Sequence, residues 1–184
     1  SLERGYSQQD KIQIYLARIY NKRGDYKKAL STLDKIVSGE LFVDAKLLAT
    51  EIIAQNESTD KAIESLSIYK NIGPSDKLRF LQAKTSLLIN NGRQQDAFDL
   101  MRSEDKNYAD SAAFKFDYAM LAEKMDNLLL MEQLLKEAIK IKPDFALAYN
   151  ALGYSYADRN IKLADAKKYI EIALSIQPQN HYIM

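Results

Sequence analysis

The sequence predicts an all-α fold in which about five helix-turn-helix units stack side by side as a solenoid. Three observations predict it. Small and apolar residues recur with a period close to 34 residues, and within each period the hydrophobic spacing is that of helices. The chain of 184 residues also contains only three prolines and six glycines, which favours long helices. We therefore expect one continuous array over residues 1–184, with an extended core shared between neighbouring units.

The period is visible in the residues that anchor each unit and in the turns between helices. Successive anchors are separated by 33, 35, 34 and 35 residues. These anchors are Ala29, Ala62, Ala97, Met131 and Ala166. The turn-forming residues on the same period are Gly24, Gly92, Asp126 and Asn160, with a second series of helix-ending residues at Gly39, Gly73 and Asn107. Each period therefore contains two helices and two breaks.

Within the periods, apolar residues follow helical spacing. Ile12, Leu16 and Ile19 repeat at i, i+4 and i+7, while no segment shows the alternation and the hairpin turns typical of strands. Ten helices are predicted, in the order 7–22, 26–37, 42–55, 59–71, 75–90, 94–103, 109–123, 127–140, 145–158 and 163–176.

Two stretches resemble the tetratricopeptide repeat (TPR) family. Between Tyr20 and Leu30, an aromatic residue closes the first helix, Gly-Asp-Tyr forms the turn, and Ala29 opens the packing face of the second helix. The final unit matches the family pattern through Tyr149, Leu152, Gly153, Tyr156, Ala166, Ile170, Ala173 and Pro178. Its run Ala-Leu-Gly-Tyr-Ser-Tyr-Ala-Asp-Arg is similar to repeats of bacterial envelope-associated TPR proteins.

The resemblance implies a right-handed superhelix whose first helices line a concave groove for another polypeptide. It implies a non-catalytic protein-interaction scaffold, and it favours a bacterial, periplasmic or envelope-associated parent over a cytoplasmic one. The chain is expected to be a fragment of a longer repeat protein. The repeats are expected at about 10–43, 44–75, 76–109, 112–145 and 146–180.

Small side chains support this stacking independently of the resemblance. Each of Ala17, Ala119 and Gly153 stands in a first helix where a neighbouring helix must approach closely. The tyrosines expected to pack between helices are Tyr15, Tyr20, Tyr149 and Tyr156.

The groove-facing positions of the first helices give the candidate binding residues. The groove is expected to be basic toward its N-terminal end and more aromatic, with some acid, toward its C-terminal end. A segment carrying acidic and apolar residues would complement it, although the same side chains could simply be solvated. The candidates are Lys11, Arg18, Lys46, Lys77, Phe80, Phe116, Met120, Asn150, Tyr154 and Asp158. The same positions also hold Ile14, Asn21, Lys22, Thr50, Ser86, Glu123, Leu147 and Ala157.

Composition and motifs argue against other functional classes. With 26 basic and 25 acidic residues the net charge is +1, so no global field attracts nucleic acid or an anionic membrane. No apolar run approaches the roughly 20 residues of a membrane span. The sequence has no cysteine, one histidine at His181, and neither a Walker A, a Gly-x-Gly-x-x-Gly nor a calcium-binding loop. We expect no catalysis, no cofactor and no metal site.

Two alternatives to partner recognition stay open at this stage. The array could be a structural spacer or assembly module whose groove is filled by its own flanking chain, or the regulatory arm of an enzyme subunit. Self-association through an exposed terminal face is a further expectation. That face would include Ile172, Ile176, Tyr182 and Ile183.

Overall fold

The computed structural model describes the backbone of residues 2–178 and the side chains of residues 8–178. Within that range it contains ten α-helices, a short 3₁₀ helix at Asp105–Tyr108, and no strand. The α-helices are α1 (Leu2–Lys22), α2 (Tyr26–Leu33), α3 (Phe42–Asn56), α4 (Thr59–Ser67), α5 (Pro74–Asn90), α6 (Gln94–Glu104), α7 (Ala112–Lys124), α8 (Leu128–Ile141), α9 (Ala146–Asp158) and α10 (Leu163–Ile176).

The helices belong to two compact units. The first unit (Ser1–Arg93) contains α1 to α5, with α1 packed on α2 and α3 packed on α4. The second unit (Gln94–Met184) contains α6 to α10, with α7 packed on α8 and α9 packed on α10. The predicted all-α architecture of consecutive helix pairs is confirmed, while the expectation of one continuous array over the whole chain stays a prediction.

Six helices agree with their predicted ranges to within one residue, and α1, α2, α4 and α7 differ. Helix α2 ends at Leu33 rather than at 37, and α4 ends at Ser67 rather than at 71. Ile36 and Tyr69 still pack on the core from the loops that follow these helices, so apolar spacing continues beyond the helical backbone. Helix α1 begins at residue 2 rather than 7, and α7 begins at 112 rather than 109 because a 3₁₀ helix ends just before it.

Four turns within helix pairs share one hydrogen-bonded geometry. In each, a residue with positive φ follows the first helix, and the next amide donates to the carbonyl oxygen five residues earlier at 2.9–3.0 Å. This closure is the Schellman motif, which requires the left-handed conformation at that residue. The residues with positive φ are Gly24 (81°), Gly92 (75°), Asp126 (56°) and Asn160 (53°). The turn series predicted from the 34-residue period is therefore confirmed.

The second predicted series does not form one turn type. Gly39 has the expected positive φ of 91°, but it lies in the loop six residues after α2 ends at Leu33. Gly73 instead caps the start of α5 in an extended conformation, and Asn107 lies inside the 3₁₀ helix. The expectation of a left-handed residue at Gly73 and Asn107 was wrong.

We expect Gly24→Ala to lower the free energy of unfolding by about 1 kcal/mol, because an L residue is strained at positive φ. A Cβ atom at Gly24 would meet no atom within 4 Å, so the loss would come from the backbone alone. Asp126→Gly is the matched change, and it should leave stability equal or higher because it removes the same strain. Urea denaturation measures both variants. Unchanged stability of Gly24→Ala would contradict this explanation of the turns.

Small residues let the helices of a pair approach closely, as predicted. Ala17 and Ala119 are fully buried. The approach is closest at Gly153, where a Cβ atom would lie 2.8 Å from Cγ1 of Ile170 and 2.9 Å from the carbonyl oxygen of Ala166. Both neighbours belong to α10, so Gly153 fixes the contact between α9 and α10.

Gly153→Ala should destabilise the second unit by about 1–3 kcal/mol, because α10 must move to admit the methyl group. Helix propensity alone would have the opposite effect, since alanine is favoured over glycine by about 1 kcal/mol. Ala157→Gly, at an exposed position of the same helix, measures how much exchanging alanine and glycine changes stability through helix propensity alone. Thermal unfolding followed by circular dichroism distinguishes the two effects. A more stable Gly153→Ala variant would show that the close approach is unimportant.

Candidate functional site

A cleft of about 600 Å³ lies between α1 and α3 in the first unit. We call it the α1–α3 cleft. Four aliphatic side chains from α1, from α3 and from the residue before α3 contribute its apolar surface. They are Ile14, Leu41, Leu47 and Leu48. The remaining lining residues are Tyr15 and the charged side chains Lys11, Arg18, Asp44 and Glu51.

The residues that line the cleft follow a register set by one buried residue of each first helix. In the first three pairs, one residue of the first helix is buried and stands twelve positions before the anchor of the second helix. These buried residues are Ala17, Thr50 and Thr85, which precede Ala29, Ala62 and Ala97. Counting from this buried residue, the positions six before, three before and one after it recur in all three helices. We call each set of three equivalent positions a row.

The three rows have different chemistry. The first row alternates in charge, the second is mainly apolar, and the third is again charged in its first two members. In the order α1, α3, α5, the first row is Lys11, Asp44 and Arg79; the second is Ile14, Leu47 and Gln82; the third is Arg18, Glu51 and Ser86. The α1 and α3 members of every row line the cleft.

The charges of the cleft are unequally compensated. Nη2 of Arg79 lies 2.5 Å from Oδ1 of Asp44, so this carboxylate is engaged in an ion pair. Nε2 of Gln55 donates to Glu51 at 3.3 Å. Among the described side chains, Lys11 and Arg18 form no ion pair. The α1 side of the cleft therefore presents two cations without an ion-pair partner among the described residues, and its α3 side presents the exposed carboxylate of Glu51.

Two candidates from the sequence lie inside the fold and do not face the cleft. The Phe80 side chain is only 3% exposed and packs with Val43 and Leu66. Lys46 is 6% exposed, and its Nζ atom lies 3.7 Å from Oδ1 of Asp34. Thr50, at a predicted groove position, is buried as well.

The physical reason for these corrections is the register. Twelve residues before Ala62 and Ala97 stand the buried Thr50 and Thr85. Counted from them, the rows contain Asp44, Leu47 and Glu51 on α3, and Arg79, Gln82 and Ser86 on α5. The predicted positions Lys46, Thr50, Lys77 and Phe80 are displaced from these rows, although Lys77 is exposed. The separation of twelve residues between Ala17 and Ala29 is the sequence signal from which the lining residues of α3 could have been found.

Sequence reasoning also missed Tyr15. It was expected to pack between helices, but its side chain is 70% exposed and lines the cleft. Tyr156, by contrast, is buried as predicted, and Tyr20 and Tyr149 are partly buried. The structure places the predicted residues Lys11 and Arg18 in the cleft, beside Ile14. Their role in binding stays a prediction.

The C-terminal candidates lie on α7 and α9 of the second unit. The ring of Phe116 lies 5.3 Å from that of Phe145, which caps α9. Tyr154 and Asp158 are exposed, while Met120 and Asn150 are partly buried. These residues occupy the equivalent rows of their helices, except Asp158, which lies one turn further on. No structural observation assigns them a ligand.

Comparisons with known proteins bear on the fold. A TPR repeat-containing protein of Pseudomonas aeruginosa is 28% identical over 175 residues, which cover 95% of this chain. The crystal structure of MamA aligns with a TM-score of 0.60 over 88% of this chain and 94% of MamA, at 19% identity. YrrB, a TPR protein with an unusual peptide-binding site, aligns with a TM-score of 0.58 over 91% of this chain and 86% of YrrB, at 16% identity. The chain has the tetratricopeptide-repeat fold.

The resemblance noted in the TPR motifs is thereby confirmed. No family model matches the sequence. The chain spans about 30% of the length of the Pseudomonas relative.

Two TPR helix pairs use a buried lysine at the same position, four residues before the buried small or threonine residue. Lys46 reaches Asp34 at the end of α2, and Lys115 reaches Asp105 just after α6 at 2.6 Å. Lys115 also contacts Glu137 at 2.8 Å. Burial lowers the pKa of Lys115, but hydrogen bonds to the two carboxylates outweigh it and leave the pKa raised. These lysines hold neighbouring helices together.

A second charged cluster in the second unit surrounds Glu132 on α8. It accepts hydrogen bonds from Nζ of Lys136 at 2.6 Å and from Nζ of Lys162 at 2.9 Å. Burial would raise the pKa of Glu132, but these hydrogen bonds and one from Tyr156 dominate and lower it to about 2. The cluster ties the turn before α10 to α8.

The described residues form neither a metal-binding cluster nor a membrane-spanning helix. Residues 8–178 contain no group of three or more histidine, aspartate or glutamate side chains placed to hold a metal ion. In the described part of the chain, every helix is too short or too polar to cross a membrane.

Because the folded-state pKa of Glu132 is depressed, its contribution to stability should be present above pH 4.5 and lost as the pH falls toward 2. We expect Glu132→Gln to lower the free energy of unfolding at pH 7 by about 1 kcal/mol, and to flatten the loss of stability between these pH values. Urea denaturation at a series of pH values measures this.

Glu171→Gln is the control, because Glu171 is exposed and its carboxylate lies 3.8 Å from Lys167. It should reproduce the wild-type profile. If Glu132→Gln also did so, the hydrogen bonds around Glu132 would be unimportant for stability.

Proposed function

We propose that this chain is a non-catalytic protein-interaction scaffold that binds a segment of a partner polypeptide in the α1–α3 cleft. The single observation that carries the proposal is one cleft whose apolar side chains lie beside Lys11 and Arg18, two α1 cations with no ion-pair partner among the described residues. A segment with apolar and acidic side chains matches this combination.

The apolar surface supplies affinity. Ile14, Leu47 and Leu48 are already partly buried by the fold, and a ligand side chain would remove their remaining surface from water. Tyr15 stands exposed beside them, and its ring offers a large apolar area with a polar tip. Exposed tyrosine in a concave site is typical of interface residues that anchor a partner.

The charges supply orientation and selectivity. An acidic ligand would gain contacts with Lys11 and Arg18, whereas a basic ligand would face two cations at close range. On the α3 side, Asp44 attracts a basic ligand less because Arg79 already engages it, and the exposed carboxylate of Glu51 repels an acidic one. The ligand's acidic edge would therefore lie toward α1.

The comparisons support this proposal at the level of the fold. YrrB shows that a TPR protein of similar architecture carries a peptide-binding site. The candidates Phe116, Met120, Asn150, Tyr154 and Asp158 are proposed as further partner-binding residues in the second unit, where Tyr154 is exposed on α9.

Arg18→Glu should weaken binding of an acidic peptide by about tenfold or more, because an attraction becomes a repulsion. The probe is a synthetic amphipathic peptide in which leucines alternate with glutamates, labelled with a fluorophore. Fluorescence anisotropy at low salt gives its dissociation constant, and added salt should weaken binding because the charges are exposed.

Lys27→Glu is the matched control, since Lys27 is exposed on α2 and does not line the cleft. It makes the same change in net charge and should leave the affinity within about twofold of wild type. Equal weakening by both substitutions would mean that only net charge matters, which contradicts binding in the cleft. Failure of the wild-type chain to bind the acidic peptide would contradict the proposal directly.

A further inference from the structure

The carboxylate of Asp44 lies between two cations of the same row. Lys11 precedes it on α1, and Arg79 follows it on α5. The structure shows the ion pair with Arg79 at 2.5 Å, and none between Asp44 and Lys11 within the described part of the chain. Arg79 does not line the cleft, but it acts on a residue that does.

From this arrangement we infer that Arg79 is a specificity-determining residue of the α1–α3 cleft. By holding Asp44, it keeps Lys11 available for an acidic ligand and hides a carboxylate that would otherwise attract a basic one. The inference rests on the proposed function, because it concerns the charge preference of the same cleft.

The chemistry of the two cations favours this division. A guanidinium is planar and presents several N–H donors that match a carboxylate, whereas the ammonium of Lys11 is a mobile point charge on a flexible stem. An arginine at position 79 is therefore suited to a permanent ion pair with Asp44. A lysine at position 11 is suited to a contact that forms only when a ligand binds.

The pair is also accessible to a ligand. The side chains of Arg79 and Asp44 remain 42% and 48% exposed. A change at Arg79 therefore alters the electrostatic potential that a ligand meets at the edge of the cleft, and does not disrupt a buried core. Without the guanidinium, Asp44 would be free to neutralise Lys11.

The experiment uses two peptides with leucines at identical positions, one with glutamates and one with lysines between them. In the full chain, Arg79→Ala should weaken binding of the acidic peptide by about three- to tenfold and strengthen binding of the basic peptide by a similar factor. Arg79→Lys should restore most of the wild-type preference. Adding Asp44→Asn to Arg79→Ala should restore it too, because the released carboxylate is then absent.

Opposite changes for the two peptides separate specificity from folding, since a misfolded cleft would weaken both. If Arg79→Ala lowers the unfolding temperature, Arg79→Gln replaces it in the experiment, because glutamine keeps part of the aliphatic stem and removes the charge. Arg102→Ala is the matched control, because it removes the same charge and breaks the 2.8 Å pair with Asp99 on α6. It should leave the ratio of the two affinities unchanged.

The outcomes distinguish this inference from the proposed function. If the acidic peptide binds the wild-type chain but Arg79→Ala changes both affinities equally, Arg79 does not set the preference, while peptide binding in the cleft stands. If the double variant behaves like Arg79→Ala, the effect does not pass through Asp44. If neither peptide binds the wild-type chain, the proposed function and this inference are both wrong.

Discussion

The close contact between the first and second helix of a pair is the constraint from which much of the structure follows. At this point the first helix carries a residue that is small or can satisfy its polar atom on its own backbone, as Thr50 does by donating to the carbonyl oxygen of Lys46 at 2.9 Å. Because a helix has 3.6 residues per turn, fixing one buried position fixes the direction of every other side chain on it. The rows that line the α1–α3 cleft are therefore a consequence of packing. Side chains in those rows that do not pack within the fold are exposed, and they can therefore contact another molecule.

Most of the fold could be predicted from the sequence because its main determinants are local and repeated. A residue in the left-handed conformation closes four of the turns, and glycine, asparagine and aspartate are the residue types that adopt it most readily. The ends of α2 and α4 could not be predicted in the same way. Ile36 and Tyr69 contribute to the core from loops, and a hydrophobic pattern does not reveal whether the backbone beneath an apolar residue is helical.

The candidate site was predicted in part. Lys11 and Arg18 line the cleft, and the sequence pointed to them because α1 has a clear small residue at Ala17, while their role in binding stays a prediction. In α3 and α5 the equivalent position is a threonine, which gives no small-residue signal, and the rows were displaced by one or two residues. The sequence also could not predict that Asp44 pairs with Arg79 and not with Lys11. Sequence places both cations beside that carboxylate in the row, and only side-chain geometry decides which of them forms the pair.

Charged residues at repeated positions serve either stability or recognition, and burial decides between the two. Lys46 and Lys115 stand at equivalent positions, and each is taken out of water against an acidic residue near the end of the preceding second helix. Asp34 and Asp105 keep 75% and 39% of their side chains exposed, so the buried lysine is the charge that depends on the pair, and these two lysines therefore serve the fold. Lys11 and Arg18 are exposed, and the described residues offer them no carboxylate within ion-pair distance. Their charge contributes little to folding, and it is therefore free to be selected for contact with another molecule.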